Sequence, residues 1–235
     1  MLVTGKKTMQ VLLKDEKTIN QKNDKTYIEN CKKLYENINK AENNNSFEQI
    51  FLDKKFITEK LHIKNHSTCG MKKTDSDVIT EKRICRCMFH YGKDKEKCLV
   101  CPLKYKYKNI SNKYDIKDAE QPTKRVIKTC GGIDLILEDK EGNKKTYAVE
   151  VKPSYNTESI VRMITEIYTY TIEFPEYIKA IAFFEGSPQE REYLKYQNNE
   201  YFKNIINKVT VFKFVETENN NGVINFDIVK LEPNE

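Results

Sequence analysis

The residues best equipped for chemistry lie in one short stretch, GGIDLILEDKEGNKKTYAVEVKP at 131–153. Ile133, Leu135, Leu137, Ala148, Val149 and Val151 are strand formers, and Asp134, Glu150 and Lys152 interrupt them. Side chains alternate across a strand, so Glu150 and Lys152 share one face while Val149 and Val151 take the other. The turn-rich DKEGNK folds the second strand back on the first and brings Asp134 beside Glu150. Two converging carboxylates make a hard, oxygen-rich site suited to Mg2+ or Mn2+. A lysine next to them can hold or help deprotonate a water while the metal stabilises charge on a phosphate. Gly131 and Gly132 carry no side chain just before Asp134, which leaves room for a bulky substrate backbone. The plain alternative is a half-solvated hairpin whose charges face water; apolar neighbours on both faces count against it.

A second chemical signal is CRCMFHYGKDKEKCLVC at 85–101, a C-x-C arm, a ten-residue gap and a C-x-x-C arm. Cys85, Cys87, Cys98 and Cys101 could complete a tetrahedral structural zinc site; an iron–sulfur cluster and no metal at all are the alternatives. Cys69, His66 and His90 are reserve ligands, Cys31 reads as helix core, and Cys130 packs near the carboxylates. The chain has seven cysteines and no visible secretory signal, which favours a metal site over a disulfide framework. Residues 82–108 also carry nine Lys/Arg against Asp94 and Glu96, a local +7 in a chain of net charge +6. Lys82, Arg83, Arg86, Lys104 and Lys106 are therefore candidates for a phosphate backbone, with Phe89, Tyr91, Tyr105 and Tyr107 interleaved for base contacts. A solvated lysine-rich surface around a small stability staple is the competing reading.

These groups need a scaffold, and 235 residues suffice for one packed domain with a small appendage. Residues 24–41 repeat apolar positions at a helical period, and 46–61 give a weaker second helix. From 64 to 115 the chain is polar, basic and cysteine-bearing without clear periodicity. Strands are expected at 124–138 and 146–152, a helix at 157–173 and an apolar strand at 177–186. A helix to about 208 and strands at 209–215 and 225–231 complete the series. The expected organisation is an N-terminal helical region (1–63), a basic Cys-rich module (64–115) and an α/β core (116–235), a mixed sheet with helices on both faces. No apolar run approaches the ~18 residues of a membrane span, so a cytoplasmic protein without membrane contact is expected.

Asp134 followed by Glu150-Val151-Lys152 on the next apolar strand resembles the D…ExK signature of the PD-(D/E)XK nuclease superfamily, which includes restriction endonucleases and RecB-type nucleases. The resemblance implies a restriction-endonuclease-like mixed sheet flanked by helices and metal-dependent phosphodiester hydrolysis. It implies Asp134 and Glu150 as ligands of Mg2+ (or Mn2+) and Lys152 in the lysine role. It covers about half the chain, and Ile133 stands where the name has Pro. Glu138-Asp139-Lys140 also matches E-x-K, so strand context rather than the triplet carries the inference. Arg162, Glu166 and Tyr170, spaced by four, share a helix face similar to the Q-x-x-x-Y element of RecB-type nucleases, with Glu166 in place of Gln. Arg162 is then a further nucleic-acid contact, unless it merely pairs with Glu166 along the helix. Members often carry an acid on an early helix, and Glu29 and Glu36 are the candidates. Some RecB-type nucleases hold an iron–sulfur cluster whose ligands bracket the core; here all four cysteines precede it. The expected activity is a Mg2+-dependent endonuclease on DNA, RNA not excluded. A RecB-type repair or recombination exonuclease and a non-catalytic nucleic-acid binder are the alternatives. Restriction-like enzymes often dimerise to cut both strands, so a homodimer is compatible with this reading.

Overall fold

The computed structural model describes residues 24–45, 80–93, 106–122, 132–142, 144–172, 174–220 and 222–232. Helix α1 (Asp24–Asn44) buries Tyr27, Cys31, Leu34, Ile38 and Ala41, the 3–4 spacing of one helical face. Helix α2 (Glu81–His90) starts at an N-cap, where the Thr80 side chain accepts from Arg83 N, and buries Ile84, Cys85, Cys87 and Met88. Strands β1 (Lys106–Asn109), β2 (Tyr114–Pro122), β3 (Gly132–Asp139) and β4 (Thr146–Lys152) follow. Helix α3 (Ile160–Tyr170), capped by Ser159, crosses to β5 (Ile178–Phe184). Helices α4 (Pro188–Tyr196) and α5 (Glu200–Ile206) then lead to β6 (Thr210–Asn220) and β7 (Val223–Leu231).

All seven strands form one mixed sheet in the order β1-β7-β6-β5-β4-β3-β2. The hairpins β2–β3, β3–β4 and β6–β7 are antiparallel, while β4–β5, β5–β6 and β1–β7 are parallel. β1 and β2 end the sheet on opposite sides, yet residues 110–113 alone connect them. Six strand spacings in a flat sheet come to about 29 Å, whereas the five steps from Asn109 to Tyr114 span at most about 18 Å. The sheet must therefore curl, and α2 sits in the curl, packing on both β1 and β2.

Two cores result. One joins α1, α3, α4 and α5 to Ile136, Ala148, Ile181, Phe183 and Val211 of the sheet. The other wraps Leu135, Leu137, Val149, Val151, Ala182, Phe212 and Phe214 around the buried side of α2. The central strands are apolar on both faces, as strands covered from both sides must be. No helix among the described residues is long and apolar enough to cross a membrane.

Several sequence expectations need correction. The stretch 64–115 contains α2 and β1, both built into the main cores, so its described part is not a separate module. β2 begins at Tyr114, ahead of the first expected strand, and β3 starts only at Gly132. The long helix expected after Pro188 is two helices, because Asn199 accepts from Tyr201 N and Phe202 N and caps a new start. The expected helix at 46–61 lies outside the described residues.

Candidate metal centre

Strands β3 and β4 pair as expected as far as Leu135↔Val149. One step further along that register, Asp134 stands opposite Glu150 and Ile133 opposite Val151. There the side chain replaces the ladder: Val151 N donates to Asp134 Oδ2 at 2.8 Å. The strand pair thus opens where its carboxylates begin, while β3 keeps its bonding to β2. Val149 and Val151 pack into the α2 core, so Glu150 and Lys152 emerge on the opposite face, as the alternation requires.

A third carboxylate arrives from α2. Glu81 is its first residue, and with Asp134 and Glu150 it offers carboxylate oxygens that all lie within 4.8 Å of one another. Among the described residues this is the one such cluster of three potential metal ligands. An octahedral Mg2+ shell at about 2.1 Å sets cis oxygens about 3 Å and trans oxygens about 4.2 Å apart. Any three positions of that shell include at least two cis pairs, so oxygens as far apart as 4.8 Å close by up to about 1.8 Å to meet it. Asp134 and Glu150 are 7% and 2% exposed, and Glu150 Oε2 is buried with no hydrogen-bond partner. A buried carboxylate oxygen left without a donor is costly, and a hard cation would satisfy it. The donor set fits Mg2+ or Mn2+.

Lys152 closes the cluster. Its ammonium lies 2.7 Å from Glu150 Oε1, 3.1 Å from Glu158 Oε2, 3.2 Å from Glu81 Oε2 and 3.3 Å from Glu166 Oε2. Glu158, just before the Ser159 cap of α3, and Glu166, in the middle of that helix, complete the set, and Arg162 meets each of them at 3.2 Å. The cleft encloses about 400 Å3 and adds Lys82, Glu120, Gly132, Asn156 and Tyr170 to its walls. With every group ionised, six carboxylates face Lys82, Lys152 and Arg162, a net charge of −3.

The ionisation pattern follows from this crowding. Burial, then the neighbouring Glu81 carboxylate, pushes Asp134 well above the usual carboxylate range. Burial and Asp134 do the same to Glu150, and burial raises Glu81 against the pull of Lys152. Glu166 goes the other way: burial opposes its charge, but Lys152, a hydrogen bond from the Glu150 carboxyl and Arg162 together outweigh burial and lower it. Burial alone would lower the Lys152 ammonium; the carboxylates of Glu150, Glu166, Asp134 and Glu81 together raise it. The lysine is therefore a fixed cation.

Of the residues singled out in the sequence, Asp134, Glu150, Lys152, Glu166, Tyr170 and Arg162 all line this one cleft. Glu29 and Glu36 do not: both are exposed on α1, and Glu29 pairs with Lys33 at 3.6 Å. The helical acid at the cluster is Glu81. Arg162 makes the intrahelical pair with Glu166, and Lys82 reaches Glu120 at 2.7 Å. Arg83 and Arg86 are half-buried on α2, and Lys106 opens β1 at the opposite end of the sheet from β2. Lys104, Cys98, Cys101, Cys69, His66 and Cys130 lie outside the described residues. Cys85 and Cys87 are buried on α2, where side chains two apart do not face each other. Cys87 Sγ accepts from Tyr107 N at 3.3 Å and so packs α2 against β1, while the other arm of the expected ligand set, Cys98 and Cys101, lies outside the described residues. Gly132 has a structural reason beyond substrate access: a Cβ there would meet Gln121 O at 2.7 Å, on the backbone of β2.

No family model, no curated protein and no solved structure matches this chain.

Proposed function

We propose that the chain is a divalent-metal-dependent nuclease that hydrolyses phosphodiester bonds in DNA. The observation that carries this reading is the meeting of Glu81, Asp134 and Glu150 within 4.8 Å, with the Lys152 ammonium 2.7 Å from Glu150. Glu81, Asp134 and Glu150 would hold Mg2+ or Mn2+. The bound ion supplies charge neutralisation at a phosphate and a water of lowered pKa. Lys152 donates rather than accepts, since its carboxylate neighbours keep it charged. Its part is to orient the attacking water and to stabilise the charge that grows on the phosphate. Asn156 Nδ2 donates to Glu81 Oε2 at 3.4 Å and helps to aim that ligand. Opening of the β3–β4 ladder at Asp134 gives a substrate backbone an approach along the strand ends.

The test is cleavage of supercoiled plasmid, linear duplex, single-stranded DNA and RNA in Mg2+, Mn2+ or EDTA, with Asp134→Asn as the control. Nicking or linearisation that needs metal and disappears in the variant is expected. No cleavage of any substrate with either metal overturns the catalytic reading in favour of a nucleic-acid binder. The position of Glu166 and Tyr170 on the cleft wall favours a RecB-type arrangement as the second reading. A requirement for free ends, seen as attack on linear but not circular DNA, would select it.

A further inference from the structure

The strongest unexplained feature of the cleft is the number of partners around one ammonium. Lys152 touches four carboxylates between 2.7 and 3.3 Å, and its side chain is 4% exposed. Two of the four, Glu81 and Glu150, belong to the cluster of candidate ligands, and the other two, Glu158 and Glu166, do not. A divalent ion at the cluster and an ammonium 2.7 Å from Glu150 compete for the same carboxylate charge.

We propose that Lys152 is a resident counter-ion with two berths, neutralising Glu81 and Glu150 without metal and withdrawing onto Glu158 and Glu166 when a divalent ion binds. This rests on the metal-centre reading given above and adds a function to Glu158 and Glu166, which act as positioning residues. The side of the cleft at α3 is built for that service. Arg162 meets both carboxylates at 3.2 Å and holds them in place against Lys152. Glu166 is itself buried, so its charge is met only by Lys152, Arg162 and the neighbouring carboxyl of Glu150. Gln at this position would offer Lys152 a dipole only. The Glu that departs from the Q-x-x-x-Y pattern is what makes a second anionic berth.

The experiment is Mn2+ binding, measured by calorimetry or by the spin resonance of free Mn2+, with no nucleic acid present. Lys152→Met removes the competitor, and affinity for Mn2+ should rise by about tenfold or more. Lys152→Gln, which keeps a donor toward Glu150, serves if the Met variant does not fold. Glu166→Gln should weaken Mn2+ binding several-fold, although Glu166 is not a ligand, and should weaken it far less when combined with Lys152→Met. That coupling separates a berth for Lys152 from simple loss of negative charge, which would act equally in both backgrounds. Equal or weaker Mn2+ binding in both lysine variants, beside clear binding to the natural chain, overturns the counter-ion role and leaves the metal centre standing. No Mn2+ binding to any form removes the metal centre and this proposal together. Loss of fold in both lysine variants with and without Mn2+ also overturns it, because a divalent ion would then be unable to replace the ammonium.

Discussion

Neutralising one carboxylate of the cluster should make the metal-free protein more stable, and Asp134→Asn is the cleanest form of that perturbation. Asp134 offers an oxygen within 4.8 Å of both Glu81 and Glu150. At an effective dielectric of about 20, each contact is a repulsion of about 3.5 kcal/mol. Lys152 returns one attraction of similar size, so the net repulsion removed is about 3.5 kcal/mol. Asn can still accept from Val151 N, but the bond changes from charge-assisted to neutral, which costs about 1 kcal/mol. Relaxation of the cleft and the protonation favoured by the raised pKa of Asp134 take a further share, and at a pH where Asp134 is ionised at most about 2 kcal/mol of stabilisation remains, or roughly 5 °C for a domain of this size. Adding metal should reverse the order. At about one hundred times its dissociation constant an ion stabilises the natural chain by about 2.7 kcal/mol, and a variant missing one of three ligands gains far less. Thermal or urea melts in EDTA and in excess Mn2+ read both effects. A variant less stable than the natural chain in EDTA would refute the repulsion reasoning. An equal upward shift of both proteins by Mn2+ would refute the ligand assignment of Asp134.

Glu192 on α4 provides a test of pH dependence away from the cluster. Its Oε1 accepts from Ile160 N at the start of α3 and from Tyr27 OH of α1, and burial pushes its pKa up to about 7. A raised carboxylate contributes stability that is fully present below its unfolded value of about 4.5 and is lost as pH rises through 7. The loss is up to about 3 kcal/mol between pH 4.5 and 8. Glu192→Gln should therefore gain on the natural chain as pH rises from 5 to 8 in urea melts, and parallel curves would refute it. Gly132→Ala should destabilise by about 1–3 kcal/mol even without metal or nucleic acid, because the new Cβ meets the Gln121 carbonyl of β2 at 2.7 Å. An unchanged melting midpoint would return that glycine to a role in substrate access alone.

The hairpin carrying Asp134, Glu150 and Lys152 is legible in the sequence because its apolar residues alternate on both faces, and α1 because Tyr27, Cys31, Leu34 and Ile38 repeat at a helical period. α2 escaped for a physical reason. Read for ligand spacing, Cys85 and Cys87 count only as thiols, whereas on this helix they are also buried beside Ile84 and Met88 as small apolar residues. Counted that way, Thr80 as N-cap, Glu81 in the first turn and the apolar set at 84, 85 and 88 spell a helix start. Missing that helix meant missing Glu81, and left Glu29 and Glu36 as the helical acids to consider. β1 and β2 escaped because edge strands need no full apolar face. β2 reads YDIKDAEQP, with a register shift between Ile116 and Asp118 and a positive φ at Glu120.

The charge of the cleft decides how a nucleic acid could use it. Of the expected phosphate contacts that line the cleft, Lys82 is paired to Glu120 and Arg162 to two glutamates. With every carboxylate ionised, as metal binding requires, the cleft is net −3 and repels a phosphodiester, and at distances within the Debye length of about 8 Å salt does little to hide that repulsion. One divalent ion brings the cleft to −1 and leaves Lys152 free of two of its carboxylates, so on the proposed reading metal must precede substrate. DNA affinity measured with Ca2+, which fills an oxygen site with little catalysis, should then exceed affinity in EDTA by at least about tenfold, and Glu81→Gln should erase most of that difference. DNA binding that is equally tight in EDTA would place the substrate on another surface and separate the acidic cleft from nucleic-acid recognition.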